Sequence, residues 1–197
     1  MTVRTDGGWE NIQGVATKAY ECGYCGNKVA SERGWQTNTN TGAGQGRTGE
    51  VRVCPRCNNP TVFRAIDGLQ LPGVRFGSPV QHLASDVAAL YEEARDCFAC
   101  GAYTGSVMLL RKLLMHAAVE KGAKAGLGFV EYVEYLDTSG YLGRDGKGWV
   151  DMIRKRGNEA NHEILLMKKE DGELLLSFAE FLVKLLYEFP GKLPKTP

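Results

Sequence analysis

Long apolar runs are missing from this chain. Nothing approaches the roughly twenty consecutive apolar residues of a membrane-spanning helix, and Met1-Thr2-Val3-Arg4-Thr5-Asp6 lacks the apolar core of a signal peptide. The expected location is therefore the cytoplasm, with no membrane partner. A dominant charge sign is missing as well: the net charge of +1 excludes a protein that attracts nucleic acid by overall basicity alone. No cysteine stands outside a Cys-x-x-Cys pair, and in a reducing compartment three such pairs point to metal ligation or burial before disulfides.

What is present belongs to a folded protein. A 43% hydrophobic content with 24% charged residues of both signs excludes disordered and fibrous chains, and 197 residues suffice for one ordinary core plus a small module. Charge is spread unevenly. Residues 1–75 hold nine Lys/Arg against six Asp/Glu, and the remainder fifteen against seventeen, as expected for a basic module joined to a near-neutral body.

Residues 1–65 alternate short β-type runs with turn residues. Cys22-Gly23-Tyr24-Cys25 and Cys54-Pro55-Arg56-Cys57 each sit at a turn between strand-like stretches. Two such hairpin knuckles make a zinc ribbon, in which Cys22, Cys25, Cys54 and Cys57 hold a structural Zn²⁺ with no coordination position left open for catalysis. The long polar stretch between the knuckles lengthens a loop at little entropic cost. Arg33, Arg47, Arg52, Arg56 and Arg64 are the ribbon's candidate cations for nucleic-acid backbone or an acidic partner, although surface arginines are more often simply solvated.

Residues 66–81, rich in Gly and Pro, read as a linker, and from there the apolar period changes from two to 3.6. Helices are predicted over His82–Cys100 with a stripe of Leu83, Val87, Leu90, Ala94, Cys97 and Phe98, over Tyr103–Lys121, and over Phe129–Leu136. A fourth begins near Lys147, and a fifth, apolar enough to be central, runs from Asp171 to Phe189 and stops at Pro190. The fold class is mainly α: an antiparallel helical bundle over 82–190 with a 191–197 tail, preceded by the small β ribbon. Cys97 and Cys100 lie one helical turn apart with nothing to complete a metal set, which favours core packing. His116 fits a partnered bundle histidine better than a ligand.

One polar stretch stands out in this apolar half. On a continuous helix Arg154, Asn158 and His162 share a face, and Gly157 could let Arg156 swing toward them. Guanidinium groups grip phosphate oxygens, and an imidazole titrating near neutrality moves a proton. A histidine in such a place also serves commonly as a cap or hydrogen-bond partner. Arg111, interrupting an apolar helix, either snorkels to solvent, pairs with an acid or reaches that site.

The pieces Tyr91–Cys97, Gly101–Arg111, the Leu136-x3-Gly140-Tyr141-Leu142 turn, Ile153–His162 and Leu186–Pro190 resemble, in order and spacing, the bacterial domain-of-unknown-function family 4145. That family is similar in turn to the HEPN superfamily, helical bundles that include metal-independent ribonucleases of prokaryotic and phage defence. Their Arg-x4–6-His signature corresponds to Arg156-x5-His162. The resemblance implies His162 as general acid/base, Arg156 or Arg154 as the transition-state cation, Asn158 among the site's polar residues, Arg111 in substrate binding, RNA as substrate, and a homodimer through the helical part. An acidic residue common in the family four positions after the helix-two arginine is replaced by Met115. The alternative is a non-catalytic zinc-ribbon adaptor that binds nucleic acid, a nucleotide or a protein partner, with the bundle used for dimerisation.

Overall fold

The computed structural model describes residues 8–37, 49–143, 148–152 and 166–194, in two compact units, Met1–Arg75 and Phe76–Pro197. The first is a five-stranded antiparallel meander of β1 (Gln13–Glu21), β2 (Lys28–Gln36), β3 (Glu50–Val53), β4 (Pro60–Phe63) and β5 (Gln70–Leu71), each strand pairing with the next. The stretch read as a linker therefore contains a strand. The sheet curls, so that Gln70 Nε2 on one edge donates to the Glu21 carbonyl on the other at 2.7 Å.

So small a sheet buries little apolar surface. Its stabilising contacts are partly polar. A register shift in β1 between Gly14 and Lys18 lies beside the Ala16 carbonyl, and Arg52 Nη1 donates to that oxygen at 2.6 Å. Arg52 is 2% exposed and also pairs with Glu50 at 2.7 Å, while Lys18 pairs with Glu50 from the other side. Strands β2 and β3 approach closely at Gly34, where a Cβ would lie 1.9 Å from the Val51 carbonyl oxygen, so no other residue fits there.

The second unit is helical: α1 (Ser85–Ala99), α2 (Tyr103–Glu120), α3 (Phe129–Thr138), a helical stretch at 148–152, α4 (Lys169–Val183), a π-helical turn (Lys184–Glu188) and α5 (Phe189–Lys192). The predicted stops of α1 and α2 hold to within a residue, and α3 runs two residues past Leu136. After α1, α2 and α3 the chain turns at Gly101, Gly122 and Gly140, all at positive φ, and the next residue's N–H returns to a carbonyl five positions back. The helix that packs against the most others is α2, touching α1, α3 and α4 and burying Leu110, Leu113, Leu114, Ala117 and Ala118 completely. The last long helix is central too, as its apolar content predicts: Leu176, Phe178, Ala179, Leu182 and Val183 of α4 are completely buried. In α1 the buried face is Val87, Tyr91, Ala94, Arg95, Phe98 and Ala99, so Leu90 and Cys97 lie at its partly buried edge, and Leu83, also partly buried, precedes the helix. Among the described residues no helix is long and apolar enough to cross a membrane.

The end of the helical path also differs from expectation. Pro190 does not stop it, because a proline ring collides with the carbonyl four residues back, and here that residue, Leu186, lies in the widened π-helical turn. The same turn aligns two carboxylates. Residues eight apart on a regular helix point about 80° away from each other, and one extra residue absorbed in the turn reduces this to about 20°. Glu180 and Glu188 consequently act on one segment: Glu180 Oε2 accepts the Ser78 N–H at 3.0 Å and Glu188 Oε2 the Gln81 N–H at 3.0 Å.

Both carboxyls sit below the ordinary carboxylate range. For Glu180 burial opposes the charge, and the Lys184 ammonium with the Ser78 N–H outweighs it; for Glu188 the Lys192 ammonium is the leading cause. A depressed folded-state pKa gives stability that is present above the unfolded value and lost as pH falls through the folded one. Thermal melting between pH 7 and 3 is therefore expected to show Glu180→Gln less stable than wild type at neutrality, with the gap closing below about pH 4.3. A gap independent of pH would show that the charge contributes nothing.

Candidate metal centre

Three turns of the sheet share one backbone design. Cys22 N–H donates to the Asn27 carbonyl at 2.9 Å and Gly26 N–H to the Cys22 carbonyl at 2.8 Å; Cys54, Asn58 and Asn59 repeat the pattern at 2.9 Å each; Arg64, Gly68 and Leu69 repeat it again at 2.8 and 3.0 Å. The fifth residue of each turn is left-handed, with φ 65° at Gly26, 57° at Asn58 and 72° at Gly68, which glycine and asparagine tolerate best. In the third turn an Arg64–Asp67 ion pair occupies the two cysteine positions. The turn is thus a property of the chain's local sequence, and only the first two add thiols. Arg64-x-x-Asp67-Gly68 has the spacing of Cys22-x-x-Cys25-Gly26, a signal that a search for cysteines alone passes over.

The two cysteine turns meet at the same end of the sheet. Cys22, Cys25, Cys54 and Cys57 converge, with every pair of sulfur atoms within 4.8 Å. A tetrahedral ion about 2.3 Å from each sulfur requires sulfurs about 3.8 Å apart. Cys22 Sγ to Cys57 Sγ is 3.7 Å and Cys25 Sγ to Cys54 Sγ is 3.9 Å, so the spacing fits one metal ion. Cys22, Cys54 and Cys57 are buried, with Tyr20, Val29 and Cys25 packed against them. The first turn is clasped from outside: a Cβ on Gly23 would meet the Pro72 and Gly73 carbonyl oxygens at 2.4 Å.

Burial pushes the Cys22 thiol up to about 12 and raises that of Cys57. Cys25 goes the other way. Burial would raise it, but hydrogen bonds from the Asn27 side chain and backbone bring it down to about 7. Four thiols at tetrahedral spacing, with Cys22 and Cys57 raised by burial, favour a cation among them, which displaces the protons and neutralises the thiolates.

The ribbon's arginines separate by environment. Arg52 is buried in the Glu50 network and Arg64 pairs with Asp67, so neither is a free surface cation. Arg33 and Arg56 are exposed, and Arg47 lies outside the described residues.

In the helical unit, Arg154, Arg156, Asn158 and His162 also lie outside the described residues. On one side of them Trp149 packs on Phe178, with ring centroids 5.2 Å apart, and Val150 is buried in the core; on the other, Met167 N–H donates to Thr104 Oγ1 at 2.9 Å. Arg111 is described. Its guanidinium lies 4.6 Å from the Phe129 ring centroid, burial lowers its pKa, and among the described residues no carboxylate pairs with it. His116 is exposed, 4.0 Å from Glu120. Cys97 is partly buried and its thiol raised by burial, whereas Cys100 is exposed and is not the core residue expected.

No curated protein and no solved structure matches the chain. Residues 92–196, more than half its length, do match the profile described as Domain of unknown function (DUF4145). That match lies within the helical unit, and the chain therefore belongs to the DUF4145 family.

Proposed function

We propose that this chain is an RNA-binding protein of HEPN type, acting as a metal-independent endoribonuclease and homodimer through its helical unit, with Zn²⁺ as a structural ion in the four-cysteine sheet. The observation that carries the reading is Arg111. A half-buried guanidinium stacked over Phe129, with no carboxylate beside it among the described residues, has lost part of its hydration without gaining a counter-ion. A phosphate oxygen would compensate for both.

In this reading Arg154 or Arg156 provides a second cation, Asn158 orients, and His162 moves the proton. The ribose 2′-oxygen attacks the adjacent phosphorus, its proton passes to an imidazole, and the bond to the 5′-oxygen breaks, leaving a 2′,3′-cyclic phosphate and a protonated 5′-hydroxyl. RNA carries the 2′-hydroxyl this step requires and DNA does not. Zinc is assigned from the donor set, since four sulfurs with no open position suit a structural Zn²⁺.

The test is cleavage of structured RNA in EDTA, with retained zinc measured alongside. The wild-type protein is expected to cut and His162→Ala to lose about 10²–10⁴ of the rate. Arg111→Ala should weaken RNA binding roughly tenfold. Absence of cleavage by the wild type, with salt-sensitive RNA binding, would replace the nuclease by a nucleic-acid-binding adaptor.

A further inference from the structure

The two cysteine turns present one side chain each that the fold does not use. In both, the residue just before the second cysteine stands at the tip: Tyr24 in the first and Arg56 in the second. Tyr24 is 48% exposed, Arg56 is exposed, and neither has a hydrogen-bond or ion-pair partner among the described residues. An aromatic ring held in water on a turn fixed by two backbone hydrogen bonds does nothing for the sheet. It does form a rigid platform, which loses little entropy when something stacks on it.

Charge narrows the choice of what stacks. From Cys22 to Lys28 and from Cys54 to Pro60 there is no acidic side chain, and the basic ones are Lys28 and Arg56, both exposed. A filled centre of four thiolates and one divalent ion carries two negative charges, but these lie beneath the tips, on sulfurs mostly buried. The two basic side chains match that charge in number and stand in water above it. Net attraction for a polyanion is therefore modest, and the ring must provide much of any affinity. A partner that alternates a planar ring with a single negative charge meets both requirements.

We infer that the Tyr24–Arg56 tip of the four-cysteine sheet is a contact site for single-stranded nucleic acid, with a base stacked on Tyr24 and a backbone phosphate against Arg56. This site is separate from the proposed cleavage residues of the helical unit and does not need them. Base stacking on an aromatic side chain tolerates any base, so little sequence preference is expected.

The experiment uses the full zinc-loaded chain and fluorescein-labelled single-stranded DNA of mixed sequence, read by anisotropy across a salt series. DNA lacks the 2′-hydroxyl, so binding at this site is measured apart from cleavage. Tyr24→Phe should bind like wild type, whereas Tyr24→Leu, also apolar, should bind roughly tenfold more weakly. Arg56→Gln should weaken binding and reduce the slope of log K against log salt by about 0.7, one phosphate on a single strand. Zinc content is measured for each variant, and the Phe/Leu comparison keeps an apolar residue at the tip throughout. Equal binding by Tyr24→Phe and Tyr24→Leu, at any level, removes the stacking platform; an unchanged salt slope in Arg56→Gln removes the phosphate contact.

Discussion

Stripping the metal from the four-cysteine centre is expected to unfold the sheet unit while the helices remain. The buried cluster around the centre consists of Cys22, Cys54 and Cys57 with Tyr20, Val29 and Cys25 against them, too little apolar surface to offset the ordering of a five-stranded sheet. Structural Zn²⁺ in small thiolate sites contributes about 10–16 kcal/mol of apparent binding free energy, most of which appears as folding. Tryptophan position makes the loss readable. Trp9 and Trp35 lie in the sheet unit, edge to face at 5.8 Å, and Trp149 lies in the helical unit, so a Trp149→Phe background isolates the sheet's emission. Chelation, or Cys54→Ser, should shift that emission to the red while far-ultraviolet helicity persists. An unshifted spectrum after complete metal loss would mean the sheet stands without its ion. Metal affinity should also fall from pH 8 to pH 6. Binding must displace the protons of Cys22 and Cys57, whose thiols are raised, and each one displaced makes the equilibrium steeper in pH.

How much of this was legible in the sequence depended on whether a feature is local. The four cysteines declare their site because Cys-x-x-Cys at a turn is both the ligand spacing and the turn signal, and Gly101 and Gly122 mark helix ends because a left-handed residue is needed there. The buried face of α1 was only half legible. Apolar periodicity assigned Cys97 and Leu90 inward and passed over Tyr91 and Arg95, because a hydropathy pattern counts an arginine as surface. Residues 66–81 misled for a related reason. Gly and Pro mark irregular backbone, and irregular backbone is not the same as unattached backbone: Gln70–Leu71 pairs in the sheet and Phe76–Gln81 is held by side chains from residues far along the chain. Contacts between positions about a hundred residues apart leave no periodic trace. The π-helical turn is hidden likewise, since the feature that reveals its purpose is the placement of Glu188 over Gln81.

Arg95 is where that hidden attachment should be most costly to break. It is 4% exposed, and each part of its guanidinium is occupied: Nε donates to the Phe76 carbonyl at 3.0 Å, Nη2 to the Gly77 carbonyl at 2.7 Å, and Nη1 to both oxygens of Glu92 at 2.8 and 3.0 Å. Tyr91 adds a bond from its hydroxyl to the Ser78 carbonyl at 3.1 Å. Gly77 is fixed in this arrangement, with φ 73° and a would-be Cβ 2.7 Å from Glu180 Oε2. Arg95→Ala leaves two carbonyls without these donors and a cavity beneath them, a change expected to cost about 3–5 kcal/mol. Arg95→Lys should recover only a minority of that loss, because one ammonium cannot reach two successive carbonyls and a carboxylate in the directions a planar fork supplies. Urea unfolding of the metal-loaded chain followed by helicity measures the stability loss, and limited proteolysis tests its location. Cutting within residues 76–84 should speed up well before the helices unfold, because the segment held by Arg95, Glu180 and Glu188 is released first. Wild-type resistance in Arg95→Ala would place the attachment on the two glutamates and Tyr91, whose bonds at Ser78 and Gln81 would then have to hold the segment without the guanidinium.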